Sequence, residues 1–268
     1  MNKLAALVVA GNGTNCERET AFACEQAGFE RVDIAPIWDI AAGEVRLGAH
    51  QLICLPGGFL DGDDLGAARA AAVRWKHARL PEGERLWDEL LAFIGKGGLI
   101  LGICNGFQLM VKLGLIPKIG GEYRQQATLC GNDSARFEDR WVTLGVNPKS
   151  PCVFTRGLEK LELPVRHGEG KFIAPEEILA HIEDKNLAAL YYLHPQTAKP
   201  TSEYPYNPNG SLGAIAGLCD ESGRLFGLMP HPECYLHRTH HPRWTRQELP
   251  EEGAGLLLFR NAVNYLRQ

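Results

Sequence analysis

The sequence predicts an α/β fold with a central, mostly parallel sheet flanked by helices. Three observations carry this. Short apolar segments alternate with helix-like segments through the first half of the chain. The apolar segments have strand length and are rich in small and β-branched residues. Glycine-rich turns separate them from the helices, which is the pattern of βαβ units feeding a parallel sheet.

The elements follow in order. Leu4–Ala10 is an apolar strand, broken by Gly11-Asn12-Gly13-Thr14-Asn15. Glu17–Ala27 has helical composition, with Gly28 placed as its C-terminal stop. Val32–Pro36 and Gln51–Leu55 are further strands, the second halted by Pro56-Gly57-Gly58. Leu65–Arg79 and Leu86–Gly95 are predicted helices. Leu99–Cys104 is a strand that runs straight into an amphipathic helix, Asn105–Leu113, ended by Gly114. The second half is less regular and richer in strands. Arg140–Val146, Leu187–Leu193, Leu212–Cys219 and Leu225–Met229 are predicted strands, Tyr204–Gly210 a turn-rich loop and Ala254–Leu266 a closing helix. No internal repeat and no linker interrupts residues 1–268, so one elaborated domain is expected.

Composition narrows the function classes. Hydrophobic residues make up 45% and charged residues 22% of the 268, ordinary proportions for a globular protein able to bury a full core. A net charge of -4 disfavours a protein whose business is the nucleic-acid backbone. No run of apolar residues is long enough for a bilayer span, so no membrane role is expected. Eight cysteines without a CxxC pair fit reduced thiols in a cytoplasmic protein better than a disulfide scaffold. The spacing shows no zinc site, and no metal is expected.

The informative segment is Gly102-Ile103-Cys104-Asn105-Gly106-Phe107-Gln108. An apolar strand enters Gly-x-Cys-x-Gly and a helix leaves it, which is the nucleophile elbow with sulfur in place of a serine oxygen. The helix N-terminus after Cys104 favours negative charge on the sulfur. A cysteine of this kind needs a base and a group that orients the base. Two His-x-Glu pairs offer themselves, His167-Gly168-Glu169 and His231-Pro232-Glu233. The second follows a strand and is clamped by Pro230 and Pro232, so it suits an acid/base held in one orientation. The first is flanked by glycines and suits a flexible ligand-touching loop. His237, His240 and His241 are expected at the surface. Pro56-Gly57-Gly58 can supply a second oxyanion donor beside the N–H of Asn105. The incomplete Gly11-x-Gly13 is too weak to indicate a dinucleotide site.

Together these pieces resemble the class I glutamine amidotransferases. The order is Pro-Gly-Gly, then Gly-x-Cys-x-Gly-x-Gln, then His-Pro-Glu near the C-terminus. Gly13–Glu17, Pro56–Phe59, Gly62-Asp63, Gly102–Gln108, Arg136–Glu138, His167–Gly170, Asn207–Ser211 and Met229–Glu233 resemble the glutaminase component of phosphoribosylformylglycinamidine synthase, an amidine-forming enzyme of purine biosynthesis. The resemblance implies a class I amidotransferase fold and a separate glutaminase subunit. It implies Cys104 as nucleophile, His231 and Glu233 as its partners, and the N–H groups of Gly58 and Asn105 as the oxyanion hole. It further implies Gly57 and Gln108 in glutamine binding, and His167 and Glu169 on the face toward a synthase partner. This chain needs no cofactor of its own. ATP and magnesium belong to the synthase subunit, and a small bridging subunit is a further partner the family allows. The glycine-rich turns around the sulfur suggest an oxyanion hole that a docked partner reorients.

The chain departs from the family at Ala68, usually glycine, and at Cys234, often arginine. Lys76–Glu84 and His237–Glu252 are longer than in the smaller members. Two alternatives stand beside the amidotransferase: another cysteine hydrolase of the same fold, of γ-glutamyl hydrolase or protease-like type, and a non-catalytic regulatory subunit.

Overall fold

Residues 3–268 are described in a computed structural model of the chain. Strand β1 (Ala5–Ala10) leads through a tight turn into helix α1 (Glu17–Ala27), and β2 (Arg31–Pro36) follows. After the short α2 (Ile37–Ala41) come β3 (Leu52–Leu55), α3 (Arg69–His77), α4 (Leu86–Gly95), β4 (Leu99–Ile103) and α5 (Asn105–Leu113). The second half adds β5 (Thr128–Cys130), β6 (Glu138–Val146), β7 (Lys160–His167), β8 (Lys171–Ile173), α6 (Glu176–Asp184), β9 (Ala188–Tyr192), β10 (Ile215–Cys219), β11 (Leu225–Leu228) and α7 (Leu256–Leu266).

One nine-stranded sheet has the order β2-β1-β3-β4-β11-β10-β9-β6-β7. Strands β2, β1, β3, β4 and β11 run parallel, and the pairs from β11 outward to β7 are antiparallel. The irregular half of the sequence is therefore an antiparallel extension of the parallel block. Strands β3, β4 and β11 are buried along their whole length, which is why they read as unbroken apolar runs. Helix α1 packs on α7, while α3 packs on α4 and α5. The chain moves one way along the sheet from β1 to β2 and the other way from β3 to β4. Right-handed crossovers therefore put these two helix groups on opposite faces.

The starts of two elements differ from expectation by three residues or more. The helix predicted over Leu65–Arg79 begins only at Arg69, because Ala68 takes the left-handed conformation at φ 59°. The same conformation explains why glycine is the usual family residue there. The strand predicted from Leu212 begins at Ile215, after a single 3-10 turn. Strand β7 escaped prediction because Pro164 sits inside it. The structure resolves the conflict by placing β7 at the sheet edge, where a missing N–H costs no ladder bond. The Lys76–Glu84 extension finishes α3 and folds back through a Leu80 N–H to Glu84 carbonyl bond of 2.8 Å. The His237–Glu252 extension is closed by pairing of those two residues.

Candidate active site

Cys104 is the first residue after β4 and holds φ 51° and ψ −102°, a backbone that side-chain-bearing residues rarely adopt. Close packing enforces the turn. A Cβ on Gly106 would lie 1.9 Å from the Leu55 carbonyl oxygen, so only glycine lets α5 start against β3. The Cys104 N–H donates to the Leu228 carbonyl at 2.8 Å, which fastens the elbow to β11. The first N–H groups of α5 have no intrahelical acceptor and give this end of the helix a partial positive charge.

His231 reaches the same place through sheet register. Strand β11 lies parallel beside β4 with Leu228 opposite Ile103, so the residues that follow each strand emerge at one edge. The His231 N–H donates to the Pro164 carbonyl at 2.8 Å, which anchors the backbone. Its Nδ1 donates to Oε1 of Glu233 at 2.6 Å, and Nε2 is buried without a hydrogen-bond partner among the described residues. Burial opposes a charged ring, but the charges of Glu233 and Cys104 outweigh it and hold the His231 pKa well above its ordinary value. Burial also pushes the Glu233 carboxyl up. The His231 charge and hydrogen bond overcome this and keep it below the usual carboxylate value. The pair is thus an imidazole whose proton is shared with a buried carboxylate and whose other nitrogen is free.

The Gly57–Gly58 turn closes the opposite wall. The Asn15 N–H donates to the Gly57 carbonyl at 2.8 Å, and the Phe59 N–H donates to the Gly13 carbonyl at 2.8 Å. These bonds fix the peptide between Gly57 and Gly58, with φ 117° at Gly58. The N–H groups of Gly58 and Asn105 have no protein acceptor among the described residues, as an oxyanion hole requires. The easy reorientation expected of this turn is opposed by those two bonds and by crowding. A Cβ on Gly58 would lie 2.4 Å from the Gly13 carbonyl oxygen. Asn105 adds a clamp, since its Oδ1 accepts from the Leu60 N–H at 3.0 Å and its Nδ2 donates to Gln108 Oε1 at 3.0 Å.

Cys104, His231, Gly58 and Gln108 line a cavity of about 390 Å³ with Asn15, Cys16, Asp63, Phe137, Arg166, His167 and Glu169, while Gly57, Asn105 and Glu233 stand behind this lining. That volume suits a small substrate. Gln108 spans it by donating from Nε2 to the Glu169 carbonyl.

The first His-x-Glu pair lies at the same pocket. His167 is not on the flexible loop its glycines suggested: it ends β7, is buried, and forms part of the pocket wall. Its Nδ1 lies 3.1 Å from Asn132 Oδ1, and Asn209 Nδ2 lies 3.5 Å from its Nε2. A neutral ring carrying its proton on Nδ1 satisfies both contacts. Burial, reinforced by the charge of His231, brings its pKa down to about 4. The Asn207–Ser211 segment supports this loop, with Ser211 Oγ donating to the Gly170 carbonyl at 3.3 Å. Glu169 also lies at the pocket, where its Oε2 accepts from the Ala67 N–H at 3.2 Å. His241 is likewise buried rather than solvated, 3.1 Å from Glu162 Oε2 and edge-on to Trp141.

Three groups went unread in the sequence as parts of this site. Asn105 contributes its side chain as well as its backbone. Arg166 lines the pocket from strand β7, and its carbonyl faces the Cys104 sulfur at 3.6 Å. Cys16 and Cys234, far apart in sequence, meet beside His231. No local pattern announces such contacts, because they depend on sheet order.

The sequence matches the family described as CobB/CobQ-like glutamine amidotransferase domain over residues 3–266. It is 46% identical over 271 residues to the phosphoribosylformylglycinamidine synthase subunit PurQ of Dehalococcoides mccartyi, covering 100% of both chains. It is 38% identical to the subunit of the same name from Methanococcus maripaludis, covering 98% of this chain and 97% of that one. Among solved structures it resembles a chain of PurLQS from Thermotoga maritima, with a TM-score of 0.70, 29% identity, and coverage of 99% of this chain and 100% of that one. The chain belongs to the CobB/CobQ-like glutamine amidotransferase family and, within it, groups with the PurQ subunits of phosphoribosylformylglycinamidine synthase.

Proposed function

We propose that the chain hydrolyses glutamine to glutamate and ammonia and passes the ammonia to a synthase subunit that makes formylglycinamidine ribonucleotide. The observation that carries this is the strained Cys104 elbow facing His231–Glu233 across a pocket of about 390 Å³. The full-length likeness to PurQ subunits supports the synthase as partner and purine biosynthesis as setting.

The chemistry follows from the groups present. The Cys104 sulfur attacks the side-chain amide carbon of glutamine, and the Gly58 and Asn105 N–H groups receive the oxyanion. As the tetrahedral species collapses, the C–N bond breaks, and His231 gives the leaving nitrogen its proton from Nε2. Ammonia departs and a glutamyl thioester remains. His231 then takes a proton from water, whose oxygen attacks the thioester, and the C–S bond breaks to release glutamate. Glu233 holds the ring in the tautomer and orientation that both steps need. Gln108 contacts the substrate from the pocket wall, and Gly57 from the turn that carries Gly58. His167 and Glu169 brace the wall on the side where ammonia leaves toward the partner.

ATP and magnesium act on the synthase subunit in this scheme, and a small bridging subunit completes the complex. The whole of residues 1–268 works as one glutaminase domain, and the complex is cytoplasmic. No helix among the described residues is long and apolar enough to cross a membrane.

Ammonia release from glutamine should be measured for the chain alone and with the synthase subunit. Glutamine-dependent turnover that the synthase stimulates is the expected result. Hydrolysis of γ-glutamyl peptides in preference to glutamine would favour a different hydrolase of this fold.

A further inference from the structure

We infer that Cys16, in the pocket wall, and Cys234 beside it form an oxidisable dithiol, closed by peroxide to a disulfide that slows glutamine turnover. The cross-link stands on the geometry alone, whereas its effect on turnover rests on the proposed glutaminase function.

Cys16 and Cys234 come from opposite ends of the chain. Cys16 follows β1 and caps α1, and Cys234 follows Glu233 after β11. Their sulfurs, with ligand atoms of His231 and Glu233, all lie within 4.8 Å of one another. A single guanidinium nitrogen, Nη2 of Arg166, donates to both: 2.6 Å to the Cys234 sulfur and 3.4 Å to the Cys16 sulfur. A cation bonded to two adjacent sulfurs stabilises a thiolate there, and the thiolate is the form that reacts with peroxide. The Cys234 hydrogen bond, followed by that of His231, brings the Cys16 pKa down to about 6 despite burial. The same pairing pushes Cys234 up, so one proton is shared by the two sulfurs.

Four metal-type ligands in one cluster, unforeseen from the sequence, could also suggest a cation site. The Arg166 guanidinium argues against it, because it lies against both sulfurs and would repel a divalent ion.

Access distinguishes this pair from the others. Cys24 and Cys54 approach to 3.8 Å, but both are fully buried in the core. Cys152 and Cys219 are buried too. Cys16 lines the cavity that admits the substrate, so a molecule as small as hydrogen peroxide reaches it.

The chemistry balances. The Cys16 thiolate attacks one peroxide oxygen, the O–O bond breaks, and the other oxygen leaves as hydroxide that is protonated to water. Cys16 is then a sulfenic acid. The Cys234 sulfur attacks it, the S–O bond breaks, and the departing hydroxide takes the Cys234 proton as a second water. Two thiols have lost two electrons to one peroxide.

The consequence for turnover is positional. The residues just before Cys16 hold the oxyanion turn, through Gly13 to Phe59 and Asn15 to Gly57, while Cys234 adjoins Glu233. A disulfide would draw these two segments together and take from His231 the Cys16 contact that supports its charge.

The test uses the full chain and the Cys104→Ala variant, which removes the nucleophile's own oxidation from the result. Each is treated with one equivalent of hydrogen peroxide, and the peptides are mapped by mass spectrometry without reduction. Cys16 and Cys234 peptides joined by a bond that dithiothreitol cleaves are expected in both proteins. Cys234→Ser should instead leave a Cys16 sulfenic acid that dimedone traps. Free Cys16 and Cys234 after treatment, or Cys16 bridged to another cysteine, would overturn the site. In wild type, turnover is followed against the cross-linked fraction in the same samples. The cross-linked protein should turn over glutamine about tenfold more slowly or worse, as small misplacements of catalytic groups cost. Full turnover in cross-linked protein would overturn the switch and leave the proposed function standing.

Discussion

Gly57 packs directly against the ring of His231: a Cβ at Gly57 would lie 2.8 Å from the imidazole Cε1 and 3.5 Å from the Cys104 Cβ. The glycine therefore sets how closely the nucleophile, the base and the oxyanion turn converge. Gly57→Ala should push the ring off its line to the sulfur. Its own φ is not in the left-handed region, so the fold should survive. Steady-state glutamine turnover is expected to fall about a hundredfold, with a denaturation midpoint close to wild type. Gly58→Ala should behave differently, because its φ of 117° and the Gly13 carbonyl both resist a side chain. There, urea unfolding should show a loss of about 2 kcal/mol.

Glu233 holds Nδ1 of the His231 ring by a hydrogen bond of 2.6 Å. Glu233→Gln keeps the shape but removes the charge and presents a donor where an acceptor stood. Turnover should drop by about two to four powers of ten. The pH profile should move as well. In wild type the Glu233 charge helps to raise the His231 pKa against the opposing effect of burial. With that charge gone, the limb of kcat/KM that reports His231 should shift to lower pH. A limb that stays put would mean that another group governs it.

His167 should make the fold acid-sensitive. It is neutral when folded, with a pKa brought down to about 4, while the unfolded chain carries an ordinary histidine near 6.5. Between these values the unfolded state binds the extra proton, so stability falls as the pH drops from about 6.5 toward about 4. Between pH 6.5 and pH 5 this amounts to about 2 kcal/mol. Urea titrations of wild type and His167→Gln at pH 7 and pH 5 should show wild type losing the larger amount. Equal losses would remove His167 as the sensor.

Asn105 and Gln108 were legible only in part. The elbow itself was readable, because Gly-x-Cys-x-Gly at a strand–helix junction has one steric solution, and Gly106 shows why. The parallel strands were readable because burial on both faces leaves β3, β4 and β11 apolar throughout. His231 was singled out by its prolines, yet its meeting with Cys104 depends on β11 pairing with β4 across more than a hundred residues of intervening sequence. That pairing has no local signature. For the same reason the Cys16–Arg166–Cys234 contact was invisible, since it joins the start of α1, strand β7 and the turn after His231. Glycines around His167 suggested mobility, whereas the Asn132 and Asn209 side chains that pin it lie on two other loops.

Asn105→Ala tests the clamp between the elbow and the oxyanion turn. It should leave the buried Leu60 N–H without an acceptor and free Gln108. A stability loss of about 1–3 kcal/mol is expected from the unpaired donor. The KM for glutamine should rise as well, measured by ammonia release.

The mechanism turns on a glutamyl thioester at Cys104. An acid quench of the chain, with its synthase subunit, during turnover of radiolabelled glutamine, followed by peptide mapping of the bound label, detects it most directly. Label is expected on the Cys104 peptide alone, released by neutral hydroxylamine and missing from Cys104→Ala. Label on another cysteine, or glutamine turnover that persists in Cys104→Ala, would contradict it.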